Sequence, residues 1–110
     1  MPAIALSYPI YVLATGNSDV SATTASNGDT RGLFFSDRIL AESFLLAAQM
    51  LDETFIRPID NDAELLNALS RAKAQGISKV LWNATSEMTP EVTDDLTALI
   101  EFVENRIKTR

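Results

Sequence analysis

The 110-residue chain contains no cysteine and no histidine. The first absence excludes disulfides, zinc–thiolate sites, iron–sulfur clusters and a thiol nucleophile. The second removes the commonest general base and the commonest metal ligand. Basic residues are scarce: 9 Lys and Arg stand against 15 Asp and Glu, for a net charge of −6. The densest basic cluster is Arg106, Lys108 and Arg110, where the dipole of a helix C-terminus accounts for it. The sequence shows no run or cluster of basic residues of the kind that neutralises a nucleic-acid backbone, so nucleic acid is not an expected partner. No run approaches the roughly 18 apolar residues of a membrane-spanning helix. The stretch Met1 to Leu6 has neither the basic region nor the length of a signal peptide. A membrane is therefore not an expected partner either, and the acidic balance fits a soluble cytoplasmic protein.

What is present is a normal complement for one domain spanning residues 1–110. Thirty-five large apolar side chains (Leu, Ile, Val, Phe, Met, Trp) are available for a core. Burying each contributes roughly 1.5–3 kcal/mol, the same order as the entropy lost per ordered residue.

The segment Tyr8 to Ala14 is rich in β-branched and aromatic residues and predicts a strand, with Pro9 near its start. A polar stretch from Thr15 to Arg31 follows. Its Asn27-Gly28 is a hairpin turn signal; the alternative is a long loop. Gly32-Leu33-Phe34-Phe35 predicts a second strand, and Ser36 or Asp37 caps a helix running from Arg38 to Leu51. Thr54 to Ile59 predicts a third strand, at an edge because Pro58 cannot donate to a ladder. Asn61 with Glu64 three residues later opens a second helix, and Gly76 ends it. Lys79 to Asn83 is the fourth strand. Thr89-Pro90-Glu91 reads as the start of a third helix, whose stripe is Val92, Leu96, Leu99, Ile100, Val103 and Ile107.

The predicted order is ββαβαβα, an α/β fold with a four-stranded sheet and helices packed on it. The first two strands can pair antiparallel, giving a mixed sheet. The strands around Phe34 and Leu81 are apolar on successive residues, which implies cover on both faces.

Two stretches together carry a resemblance. Gly32-Leu33-Phe34-Phe35-Ser36-Asp37 leads straight into a long helix. Ala63-Glu64-Leu65-Leu66 begins a helix that passes through Ala74-Gln75-Gly76-Ile77 into Lys79-Val80-Leu81-Trp82-Asn83. Over roughly residues 8–84 the chain resembles the SseB N-terminal domain family, named for an enhanced-serine-sensitivity protein. That resemblance implies an accessory or regulatory domain of a bacterial type and supplies no catalytic residues.

Candidate chemistry is sparse. Asn17 and Asp19 follow the first strand, Asp60 follows the third and Asn83 the fourth. With residues 15–19, 36–37, 60–62 and 83–86 they mark a candidate ligand site at strand C-terminal ends, where open α/β sheets bind ligands. Asp60 and Asp62, with Asp19 or Asp37, have the oxygen chemistry for Mg²⁺, but helix capping already explains them. Glu87, Glu91, Asp94 and Asp95 read as residues at a helix start, Trp82 reads as core, and no cofactor is expected.

The first helix carries the sharper signal. At about 100° per residue, Ile39, Leu40, Ala41, Phe44, Leu46, Ala47, Ala48, Met50 and Leu51 sweep an arc of roughly 220°. Leu45 falls in the polar remainder with Arg38, Glu42 and Gln49. One sheet face cannot cover so wide an arc. Either another helix packs on its flank, or a partner does, most simply a second copy of the chain. Phe44, Leu46 and Met50 are the candidate interface residues. The expected function is thus a non-catalytic protein-interaction or regulatory domain; the alternative is a small ligand-binding domain or enzyme.

Overall fold

The computed structural model describes residues 6–15, 20–24, 28–47, 54–84 and 92–109. Its centre is built where apolar residues occupy successive positions. β3 (Thr30–Phe35) and β5 (Lys79–Trp82) pair in parallel, with Leu33 opposite Leu81 and Phe34 opposite Trp82. β1 (Ile10–Thr15) runs antiparallel to β3, and β4 (Thr54–Ile59) runs antiparallel to β1 at the sheet edge. β6 (Val92–Asp95) closes the opposite edge against β5, and β2 (Ala22–Thr24) forms a hairpin with β3. The sheet is six-stranded and mixed, in the order β4-β1-β3-β5-β6 with β2 beside β3.

The sheet therefore has two strands more than predicted, and the element order is βββαβαββα rather than ββαβαβα. The first addition is the hairpin that Asn27-Gly28 allows: Thr24 faces Thr30, and Gly28 takes a φ of 93°. The second overturns the predicted start of the last helix. Val92 to Asp95 pair with β5 instead of coiling, and Trp82 Nε1 donates to Asp94 Oδ2 at 2.8 Å. α3 (Leu96–Lys108) begins only there, capped by Asp95, whose Oδ2 accepts from Ala98 N at 3.0 Å. Asp is as good a cap as Thr, so the decision passes to the β5 edge, which satisfies the backbone of 92–95 as a ladder.

β3 shares one edge between two neighbours. Its Phe34–Phe35 end pairs with β1 and its Thr30–Gly32 end with β2. The changeover is at Ser21, whose N–H donates to Leu13 O at 2.8 Å while its carbonyl accepts from Leu33 N at 3.0 Å. Gly32 sits beside it, where a Cβ would come 3.1 Å from Val20 Cγ1.

Alternation along the strands divides the core. On one face Leu13, Leu33, Phe35 and Leu81 pack under α1 (Arg38–Ala47), through Ala41 and Leu45. On the other, Ile10, Val12, Phe34, Val80 and Trp82 pack under α3 and α2 (Asp62–Ala74). The ends of α2 are those predicted. Asn61 Oδ1 accepts from Glu64 N at 2.9 Å, and Glu64 Oε2 reaches back to Asp60 N at 2.8 Å. Gly76, at a φ of 91°, donates to Lys73 O and Ile77 donates to Ala72 O, each at 3.0 Å, closing the helix. Among the described residues no helix is long and apolar enough to cross a membrane.

Candidate functional site

Helix α1 presents an unusual outer surface. Its buried line is Ala41 and Leu45, four residues apart and therefore stacked on one side. This corrects the placement of Leu45 in the polar sector: it is 7% exposed. Small Ala41 lets the helix approach the sheet here, so the apolar arc is centred away from it. Ile39 is consequently 70% exposed, Leu46 65% and Leu40 39%. From Leu46 through Ile39, Ser43 and Ala47 to Leu40 the outer arc spans about 120° and carries no charge. The two charged residues of the helix, Arg38 and Glu42, lie on one flank and pair with each other at 3.1 Å.

Of the predicted interface residues, Leu46 stands in this outer arc. Phe44 is half-buried, its ring tilted against Phe35 at a centroid distance of 5.7 Å. Met50 lies outside the described residues, as do the predicted helical positions 48–51. Cover for α1 by another helix is not the solution adopted, because α2 and α3 occupy the opposite face of the sheet. The spacing pattern revealed an excess of apolar surface but not its direction. Ile39 and Leu40 were visible in that pattern and are more exposed than Phe44.

The residues predicted at strand C-terminal ends do not form one cluster. Because β1 runs antiparallel to β3, Thr15 lies beside Thr54 at the end of the sheet opposite Ser36 and Asn83. Asn17 and Asp19 lie outside the described residues. Asp60 and Asn83 share one end of the sheet, but β1 and β3 stand between their strands. Three strand spacings put them roughly 14 Å apart.

Asn83 does have a defined role. At a φ of 53° it occupies the left-handed region that Asn tolerates. Its Oδ1 accepts from Ser36 N at 2.8 Å and its Nδ2 donates to Ser36 Oγ at 3.0 Å. The pair ties the end of β5 to the β3–α1 junction.

A shallow cavity of about 390 Å³ lies beside that junction, lined by Tyr8, Tyr11, Ser36, Asp37 and Arg38 among others. Several of its polar groups are already engaged. Asp37 Oδ1 accepts from Ile39 N at 2.8 Å, Arg38 pairs with Glu42, and the Tyr8 hydroxyl donates to Asp62. Asp62, predicted as a first-turn residue, is fully buried and also pairs with Arg106 at 3.2 Å. Among the described residues no three carboxylates converge as metal ligands would. No protein-family model and no curated protein sequence matches the chain.

Proposed function

We propose that this chain is a non-catalytic interaction domain that docks through the outer face of α1, and that the occupant is a second copy of the same chain. The observation that carries this reading is the uncharged outer arc, with Ile39 at 70% and Leu46 at 65% exposure on one helix face. In a two-fold antiparallel pairing of α1 with its copy, Ile39 meets the partner's Leu46 and small Ser43 falls at the crossing. Electrostatics favour the same surface. Two copies at −6 each repel, and Arg38 and Glu42 leave α1 without net charge. The resemblance of residues 8–84 to the SseB N-terminal domain family supports a regulatory rather than a catalytic role.

A ten-residue helix pair buries less than the roughly 1,600 Å² of a standard interface, which places the proposed association in the transient, concentration-dependent class. Sedimentation equilibrium across the micromolar range tests it. The expected result is a species of twice 12.0 kDa, converted to a folded monomer by Leu46→Glu and by Ile39→Glu. A 12.0 kDa species at every concentration overturns the second copy as occupant. Loss of the folded circular-dichroism spectrum in both variants assigns the face to the core and overturns the docking surface.

A further inference from the structure

Five arginines lie among the described residues, and three are engaged. Arg31 Nη2 donates to Thr23 Oγ1 at 3.4 Å, Arg38 pairs with Glu42 at 3.1 Å, and Arg106 pairs with Asp62 at 3.2 Å. Arg57 and Arg71 make no hydrogen bond or ion pair with any of the described residues. Those two line the same pocket. Acidic residues number 15 in the chain, yet neither arginine pairs with one among the described residues.

The pocket is cut between the β4 edge and α2. Arg57 sits opposite Val12, which places it on the sheet face that α2 covers. Asn67 and Arg71 are four residues apart and share a side of α2, and Pro58 and Ala68 complete the walls. Glu64 also reaches the rim; its Oε2 accepts from the Asp60 N–H at 2.8 Å, and its one negative charge leaves the pair of arginines with a net positive excess of one. The cavity holds about 40 Å³, roughly three times what one water needs. That is room for the head of a carboxylate or a phosphate, and too little for a cofactor. Guanidinium forks match such oxyanions in shape and charge. Like charges that line one pocket repel, and an anion bound there relieves that repulsion.

We propose that this pocket binds a single oxyanion, carboxylate or phosphate, gripped by Arg57 and Arg71 with the Asn67 amide as a third donor. The site lies on the opposite side of the sheet from α1 and does not depend on the docking surface there.

Titration of the ¹⁵N-labelled chain with N-acetylglycine and, separately, with inorganic phosphate tests it, each against sodium chloride at matched ionic strength. The expected result is saturable movement of amide signals confined to β4 and the middle of α2. Arg57→Gln and Arg71→Gln, both at exposed positions, are each expected to weaken binding about tenfold or more, with the rest of the spectrum unchanged. Tighter binding of phosphate assigns the site to phosphorylated ligands, and tighter binding of the acid assigns it to carboxylates. Movements that sodium chloride reproduces, or that persist in the double variant, overturn the proposal.

Discussion

The guanidinium of Arg106, near the end of α3, lies 3.2 Å from the carboxylate of Asp62, a residue with no solvent exposure in the first turn of α2. The contact fastens α2 to α3 at the end of the sheet where Tyr8 donates its hydroxyl to the same carboxylate. A buried charge is tolerated only when matched, and removing one partner leaves the other stranded. Arg106→Gln is expected to lower unfolding free energy by about 2–3 kcal/mol, below the full value for a buried pair because Arg106 is 32% exposed and Tyr8 remains. Adding Asp62→Asn is expected to recover part of the loss. Urea unfolding of the two single variants and the double variant closes the cycle; additive losses would show that the pair is not coupled.

Adjacent residues on α1 are expected to respond in opposite ways. Leu45 is 7% exposed and Leu46 65%. Leu45→Ala is expected to cost about 2–4 kcal/mol through lost burial and the cavity left behind, whereas Leu46→Ala should stay within about 0.5 kcal/mol in the monomer. Denaturant midpoints at high dilution measure both, and equal losses would mean the helix is rotated relative to this structure.

Gly76→Ala isolates a backbone effect. The added Cβ meets nothing within 4 Å, yet the residue sits at a φ of 91°. The expected cost is about 1 kcal/mol, from left-handed strain alone, and Gly76→Asn is expected to lose less. Thermal unfolding resolves the ranking Gly, Asn, Ala.

Trp82 provides an intrinsic reporter. It is 1% exposed, packed edge-on against Phe34 at 5.9 Å and bonded to Asp94. Its fluorescence in the folded chain is expected to resist quenching by acrylamide and to shift red only on global unfolding. Trp82→Phe leaves a void and removes a hydrogen bond to a charged group, for an expected cost of about 2–3 kcal/mol. Ready quenching in the native state would place the indole outside the core.

Helix α2 was legible because its signals are local: Asn61 and Glu64 at one end and Gly76 at the other act within a few residues. The edge position of β4 was legible because Pro58 cannot serve an inner strand. The antiparallel pairing of the first two predicted strands was one of the options the sequence left open, and β1 and β3 adopt it; the pairing of β1 with β4, some forty positions away, was not legible. β6 was hidden because Thr89-Pro90-Glu91 imitates a helix start and only the exposed flank of β5 draws Val92 into a ladder. The exposed apolar face of α1 was half legible. The sequence pattern counts apolar residues on α1, but only packing shows that Ala41 and Leu45 face inward and Ile39 and Leu46 outward. Arg57 and Arg71 could not have been joined from sequence, because one lies on a strand and the other on a helix with nothing local to couple them.

The pairing of β3 with β5 also imposes an order on assembly during synthesis. When the ribosome has released only the first sixty residues, β4, β1, β3, the β2 hairpin and α1 are all available and can close one side of the sheet. Ile10, Val12 and Phe34 then still face water, because Leu65, Leu69, Leu99 and Val103, which shield them in the finished protein, have not yet emerged. The half-made protein is thus a one-sided sheet whose bare side is its larger core.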